Sequence, residues 1–537
     1  MTTINSKIKH VVVVMFENRS FDHMLGFLYN DSYKNKNTDK TTINISPLGH
    51  PFEGLTGNET NPDGKGGSVK VFPIDKNDKY AYYMPKMDPG EGFMNTNFQL
   101  FGSLNPPFPT KIGPNQGFVR DFHNKIDTKY YGDPKEKKTV ATKTTEKKAY
   151  DKNYDHSKDY TNEAYKAWYK EELPPKSGLK IVSKFPGTVP SDIMGMYTPD
   201  LLPILSNLAK GYAVCDQYHC SVPSETLPNR AFMHMATSQG NLYDEEKRYS
   251  APSIFKHLSN NGHTWGIFGY EAKKEPYTFN FCADISTPEK TTETIGLTIP
   301  TGCQYGKYTK FEEALQNGTL PDYTFLEPSW GSYGNSQHPN YDVSLGEDYI
   351  LKIYNAIRES DYWENTLFII NYDEHGGCYD HVTPPTGAAQ PNAASVNEPT
   401  GFKFDRFGVR VPCILISPWI EAGTVYRTKS DVPLDHTSIL KTIEVLFNLT
   451  PLTARDAAAA DMLDVLTLET ARTDNPLEGI KAPVTDPTVQ IEDHASQILR
   501  AQADALTEKR NAETGENYKT PVFKTDEEAN QYIHQES

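Results

Sequence analysis

Tyr372-Asp373-Glu374-His375-Gly376-Gly377 directly follows the apolar run Leu367–Ile370. A run without polar alternation reads as a strand covered on both faces. In open α/β sheets, ligands bind beyond the carboxyl ends of the strands. Two carboxylates and an imidazole at such a place are costly unless a cation or a substrate uses them. The two glycines let the backbone turn sharply and approach a ligand closely. The same order recurs near the start of the chain, where Val11–Phe16 delivers Glu17-Asn18-Arg19-Ser20-Phe21-Asp22. Glu17, Asn18, Asp373 and Glu374 are hard oxygen donors, and four of them on two strand ends suit one divalent cation. The competing reading is a helix over Phe21–Leu28 capped by Ser20 or Asn18. Beside the second strand end, the metal reading is the stronger of the two.

Cys220-Ser221-Val222-Pro223-Ser224-Glu225-Thr226-Leu227-Pro228-Asn229-Arg230 supplies a candidate nucleophile. Pro228 fits the first turn of a helix, where a missing N–H costs nothing. Asn229–Thr237 reads as helical, with Phe232, Met233, Met235 and Ala236 as its apolar side and Gly240 placed to end it. Thr226 then lies just before a helix N-terminus, where free N–H groups and the helix dipole favour a phosphate. A hydroxyl there can attack phosphorus when a metal lowers its pKa. Taken by itself, the segment is more often a plain Ser/Thr helix cap.

Four segments in order carry a specific resemblance: ENRSFDHMLG at 17–26, SVPSETLPNR at 221–230, HPNYDVSLGE at 338–347 and DEHGGCYDHVTPP at 373–385. Together they resemble the bacterial and plant phosphoesterase family of non-specific (phosphatidylcholine-type) phospholipases C and the respiratory-burst-inhibiting acid phosphatase. The likeness runs from residue 8 to about 450, and Leu452–Ala457 also resembles family sequence. It implies an alkaline-phosphatase-like α/β fold, a hydroxyl nucleophile, a bound metal and a phospho-enzyme intermediate. Carried over by motif position, it puts Glu17, Asn18, Asp373, Glu374 and Thr226 at the metal, with Thr226 as nucleophile. His338 and His381 match histidines lining the phosphate pocket and are the candidates for proton transfer, although each could instead be a core histidine bonded to backbone. Asn18, His375 and Asn229 fall where substrate would be contacted, Asn229 chiefly by shaping its motif. The sulfatase variant of this chemistry needs its own C/S-x-P-x-R motif, which is absent from the sequence.

The elements that must hold these groups are legible as alternation. Strands are expected at Val11–Met15, Lys180–Val182, Thr264–Phe268, Tyr323–Leu326, Leu367–Ile370 and Val411–Ile416. Ser344–Arg358 carries Leu345, Tyr349, Ile350, Ile353, Tyr354 and Ile357 at helical spacing. Asp435 can cap a helix bearing Ile439, Leu440, Ile443, Leu446 and Phe447. Such alternation predicts α/β architecture with a mainly parallel sheet between helical layers. The expected organisation is a phosphoesterase domain over 1–450 and a C-terminal annex over 451–537. Residues 30–120 read as a long loop insertion over the active face, 128–176 as a solvated excursion, and 385–400 as a mobile loop beside His381.

With 54 basic and 70 acidic residues, the 537-residue chain has a net charge of −16, which argues against nucleic acid. It equally disfavours a strongly anionic membrane, while a zwitterionic headgroup and at most peripheral membrane contact remain compatible. Val11–Val14 is far too short to span a bilayer. The absence of a secretory signal pattern predicts a cytoplasmic protein, or one exported without a signal. The six cysteines form no zinc pattern and are expected reduced, Cys282 and Cys303 being the pair that could bridge a loop. The leading expectation is a metal-dependent phosphoric ester hydrolase of phospholipase C type, acting on a phospholipid or choline phosphodiester through phospho-threonine. One divalent ion is expected, with Mg, Ca, Mn and Zn all open. A broad acid phosphatase acting on a small phosphate ester is the alternative, and a non-catalytic phosphate-binding module the remote one. The sequence does not fix the oligomeric state.

Overall fold

The structure is a computed structural model and describes residues 7–537 except 31, 33–43, 46–50, 103–114, 128–183, 271–274, 288, 291–294, 398, 430–431 and 492–495. A nine-stranded sheet forms its centre. The strand order is Gln304–Lys307, Trp265–Gly269, Tyr323–Glu327, His10–Phe16, Thr366–Tyr372, Cys413–Ile416, Ala213–Val214, Thr424–Val425 and Asn44–Ile45. All neighbours pair in parallel except Cys413–Ile416, which runs antiparallel to both of its partners. The expected α/β core with a mainly parallel sheet is therefore present.

The two strands that end in carboxylates are adjacent and central. His10–Phe16 and Thr366–Tyr372 pair in register from His10 against Thr366 to Phe16 against Tyr372. Glu17-Asn18 and Asp373-Glu374 consequently leave the sheet side by side. Every residue of the Thr366–Tyr372 strand is buried, as are Val11–Phe16, which is why neither strand alternates. Removing such surface from water contributes about 25 cal/mol per Å² of apolar area, so register here is set by the core.

The helices largely follow the expected capping signals. Val343–Arg358 starts at Asp342, whose carboxylate accepts from Ser344 N–H, and buries Tyr349, Ile350, Ile353, Tyr354 and Ile357. His436–Phe447 begins at Asp435, which accepts from Thr437 N–H. Ser20 caps a helix shorter than expected, Phe21–Leu25, by accepting from His23 N–H. The helix expected over Asn229–Thr237 instead covers Thr226–Met235, and Ala236, at φ 55°, ends it before Gly240. Thr226 thus sits within the first turn, not ahead of it.

Residues 30–120 are not all loop. Phe93–Phe101 is a helix, and a second, Phe118–Asp127, begins within the stretch. They are anchored by buried Phe93, Phe98, Phe118 and Phe122. Their polar residues face inward: Gln99 Nε2 donates to Gly90 O at 2.7 Å and to Asp121 Oδ2 at 2.9 Å. Burial of Asn95, Thr96, Asn97 and Gln99 blurs the amphipathic period of the first of these helices. The strand expected at Lys180–Val182 and the excursion over 128–176 lie outside the described residues.

Beyond residue 451, Gln497–Thr514 and Asp526–Glu536 form a helical pair with its own small core of Leu499, Ala503, Leu506, Phe523, Ala529 and Ile533. All six cysteines are free thiols, Cys282 and Cys303 included. Among the described residues, no helix is long and apolar enough to cross a membrane.

Candidate active site

The ends of the two central strands meet the start of the Thr226–Met235 helix. Asn18 adopts a left-handed conformation, φ 56°, a region Asn tolerates better than most residues, and so turns its side chain across the strand ends. Its Oδ1 accepts from the Thr226 hydroxyl at 3.1 Å, and its backbone N–H donates to Asp373 Oδ1 at 3.0 Å. Asp373 Oδ1 also receives Glu374 N–H at 2.8 Å. Arg230, one helical turn after Thr226, donates from Nε to Asp373 Oδ2 at 2.9 Å and stacks on Trp330. The helix, the first strand end and the second are therefore tied through four side chains, Thr226, Asn18, Asp373 and Arg230.

Gly376 and Gly377 make the turn behind Glu374 with φ of 60° and 66°. A Cβ on Gly376 would lie 2.1 Å from Asn18 O, and one on Gly377 would lie 2.4 Å from Gly90 O. No other residue fits either position, so the turn is specified by steric exclusion as well as by φ.

The charge balance points to a cation. Glu17 Oε2 and Glu374 Oε1 are buried and have no hydrogen-bond partner. Burial pushes the Glu17 carboxyl up to about 7, and pushes Glu374 well above the usual carboxylate range, with Glu91 and Asp373 adding to it. Bare buried carboxylate oxygens cost several kcal/mol unless paired, roughly 1–3 for each unsatisfied group and more when charged. Each would be satisfied as a ligand to a divalent ion. Glu17, Asn18, Asp373 and Glu374, with the Thr226 hydroxyl, thus fit a hard cation. Asp373 is the most committed to protein contacts, since each of its oxygens already accepts a hydrogen bond.

His338 lies close enough to Glu17 to act on its charge, and clusters with Asp88 and Glu91. Its ring opposes the effect of burial on the Glu17 carboxyl, and its ligand atom lies within 4.8 Å of those of Asp88 and Glu91. His381 lies in a different cluster. Its Nδ1 donates to Asp22 Oδ2 at 2.6 Å and its Nε2 lies 3.3 Å from Glu53 Oε1. Asp22 and Asp380 are bridged in turn by Arg410, at 2.9 and 3.0 Å. Burial alone would lower the His381 pKa, but the Asp22 carboxylate outweighs it and holds the ring at about 9. His381 is a member of a buried charge network, and both of its ring nitrogens are engaged there by carboxylates.

Two further candidates turn polar atoms toward the protein, Asn229 in the shaping role expected of it. His375 is fully buried and its Nε2 faces Gln99 Oε1 at 2.8 Å, while burial lowers its pKa to about 3. Through Nε2 it braces the turn as a neutral imidazole, while its buried Nδ1 has no hydrogen-bond partner. Asn229 spends its amide on the preceding loop: Oδ1 accepts from Val222 N–H at 2.9 Å, and Nδ2 donates to Val222 O, Ser224 O and Glu225 O. These bonds shape the loop that precedes Thr226. The Leu227 N–H, on the first turn of the helix, is likewise taken by Asp244 Oδ1 at 2.8 Å. The helix dipole still favours negative charge at Thr226.

Several site residues carry no motif of their own. Glu91 Oε2 accepts from Asn18 Nδ2 at 2.8 Å and completes the orientation of that amide. Asp88-Pro89-Gly90-Glu91 has the composition of a turn between two carboxylates, but nothing in the sequence links it to Asn18. His436 Nε2 contacts Asp373 O at 2.6 Å, and its Nδ1 contacts Tyr218 OH at 3.0 Å.

A side-chain hydroxyl set against hard oxygen donors suits transfer of a phosphoryl centre, the chemistry of a phosphoric ester hydrolase. The model of the phosphoesterase family matches residues 8–131 and 115–450, and the chain belongs to that family. It is 32% identical to non-specific phospholipase C6 of Arabidopsis thaliana, over 88% of this chain and 75% of that one. It is 28% identical to the non-hemolytic phospholipase C of Burkholderia pseudomallei (strain K96243), over 46% of this chain and 40% of that one. A solved protein in the alkaline phosphatase superfamily from Vibrio parahaemolyticus shares 15% identity over 50% of this chain and 66% of that one, with a TM-score of 0.29, too slight a likeness to carry any argument.

Proposed function

We propose that the chain is a phospholipase C-type phosphodiesterase that cleaves a phospholipid or a related choline ester through an intermediate on Thr226. The carrying observation is the Thr226 hydroxyl on Asn18 Oδ1, at strand ends whose next carboxylates, Glu17 and Glu374, each hold a buried oxygen without a hydrogen-bond partner. The names of the relatives, non-specific and non-hemolytic phospholipases C, support a diester substrate. Glu17, Asn18, Asp373 and Glu374 would hold one divalent ion, whose charge favours the Thr226 alkoxide and neutralises phosphate oxygens.

The remaining steps belong to the chain's own residues. Asn18, fixed by Glu91, orients the Thr226 oxygen. That oxygen forms a bond to phosphorus while the bond from phosphorus to the glyceride oxygen breaks. His338 gives a proton to the departing oxygen. Water then forms the new bond to phosphorus with His338 as base, and the bond to Thr226 breaks, releasing the phosphorylated headgroup. The helix dipole and the Arg230–Asp373 pair hold the nucleophile's turn in place throughout.

Hydrolysis of p-nitrophenyl phosphorylcholine and p-nitrophenyl phosphate by the purified protein, with and without chelator, tests this reading. Preference for the choline diester and loss of activity on chelation are expected. Preference for the monoester would replace the phospholipase with an acid phosphatase. Turnover of neither after divalent metal is resupplied would favour a phosphate-binding module.

A further inference from the structure

Leu227 N–H, one residue from Thr226, is held by a carboxylate from a different segment of the chain. Asp244 Oδ1 accepts it at 2.8 Å. The same Asp244 donates its backbone N–H to Glu225 Oε2 at 2.7 Å, so it grips the residues on both sides of the hydroxyl. Its other oxygen, Oδ2, accepts from Gln497 Nε2 at 2.9 Å. Gln497 is the first residue of the helix Gln497–Thr514 in the C-terminal annex.

A second tie runs in parallel. Asp526 Oδ1 accepts from Ser496 N–H at 2.7 Å, and Asp526 Oδ2 accepts from Ser332 N–H at 2.6 Å. Ser332 lies in the loop that leads to His338. The start of one annex helix is thus fixed to the nucleophile's turn through Asp244, and the start of the other to the loop of the proton donor.

We infer that Asp244 and Gln497 are positioning residues for Thr226, so that the annex sets the geometry of the nucleophile. This rests on Thr226 being the nucleophile. The physical basis is the absence of a local cap: Glu225 precedes the helix, and its side chain makes no capping bond. The first turn therefore depends on Asp244 for one of its unpaired N–H groups. Asp244 in turn depends on Gln497 to fix its rotamer. If the turn loosens, the Thr226 oxygen moves relative to Asn18. A misplacement of about 1 Å at a reacting atom can cost on the order of 100-fold in rate.

Steady-state kinetics of the full chain test the inference, with p-nitrophenyl phosphorylcholine as substrate or, if the monoester is preferred, p-nitrophenyl phosphate. Gln497→Ala and Asp244→Ala should lower kcat by about tenfold or more with KM nearly unchanged. Asp244→Asn keeps Oδ1 as an acceptor for Leu227 N–H but loses the acceptor for Gln497 Nε2, so its kcat should fall no further than that of Gln497→Ala. Lys509→Ala is the control. It removes a contact of the same annex helix, Lys509 Nζ to Glu275 Oε2 at 2.8 Å, that does not lead to Thr226. It should lower the melting temperature as Gln497→Ala does, yet leave kcat alone. A normal kcat in Gln497→Ala, or an equal fall of kcat in Lys509→Ala, would overturn the inference. Should Asp244→Ala fail to fold, the Gln497 and Lys509 pair alone decides. Thr226→Ala separates the two levels: if it is active, the nucleophile reading fails, and if it is inactive while Gln497→Ala is normal, only the positioning role fails.

Discussion

The Thr226 hydroxyl donates to Asn18 Oδ1 across 3.1 Å, although the two residues are separated by 208 positions in the chain. Three structures must coincide for that bond to form: a parallel strand ending at Phe16, a left-handed residue at Asn18, and a helix whose first turn begins at Thr226. Each has its own physical cause, and each can be tested.

Glu17 and Glu374 predict opposite behaviour with and without metal. In the metal-free protein their bare carboxylates are a burden, so Glu17→Gln should leave the melting temperature unchanged or raise it. In the presence of divalent metal the wild type should gain stability and Glu17→Gln should gain less, because a ligand that binds only the folded state stabilises it. Thermal melts with and without chelator measure both. A metal-independent loss of stability in Glu17→Gln would remove Glu17 from the cation site.

Arg230→Met should be among the most damaging single changes. Arg230 and Asp373 are almost fully buried, at 4% and 0% side-chain exposure. Removing one member of such a pair costs about 3–5 kcal/mol, since the other charge stays buried and unpaired. Urea denaturation measures it. A loss below about 1 kcal/mol would mean that Asp373 finds another partner or takes up a proton.

How far the sequence foretells this site depends on the range of each interaction. Asp373-Glu374 and Glu17-Asn18 are legible because continuous apolar strands announce their own ends. Asp435 is legible as a cap because its acceptor bond reaches only two residues along the chain. The helix starts before the position that Pro228 suggests, because the group holding its first turn is Asp244, which no local pattern connects to Leu227. His381 matches a pocket histidine by motif, yet its partners Asp22, Glu53 and Arg410 are brought to it only by the fold. Ala213–Val214 and Thr424–Val425 are strands of two residues each, too brief for any alternation to show.

His381 carries a pH signature. Its ring is held at about 9 by Asp22 against an ordinary 6.5, so the folded protein binds this proton more tightly than the unfolded chain. The resulting stabilisation is complete below pH 6.5 and is lost as pH rises through 9. Each tenfold gain in proton affinity is worth about 1.4 kcal/mol, which puts the contribution at roughly 3 kcal/mol. His381→Gln should therefore be less stable than wild type near pH 6, with the difference vanishing above about pH 9. Chemical denaturation across that range measures it, and a difference independent of pH would show that His381 stabilises by packing alone.

Thr226→Ser should retain turnover, whereas Thr226→Ala should lose at least about 10³-fold in kcat/KM, or about 4 kcal/mol of transition-state stabilisation, with the fold intact by circular dichroism. Near-normal activity in the alanine variant would exclude a bond from Thr226 to phosphorus.

Acid quenching of the protein during turnover of p-nitrophenyl phosphorylcholine, followed by mass spectrometry of the peptide that contains Thr226, tests the central claim most directly. The account predicts a phosphocholine ester on the Thr226 oxygen, formed as nitrophenol is released and absent in Thr226→Ala. An unmodified Thr226 peptide, in a sample trapped under conditions that preserve a phospho-threonine standard and shown to release nitrophenol in an initial burst, would contradict it.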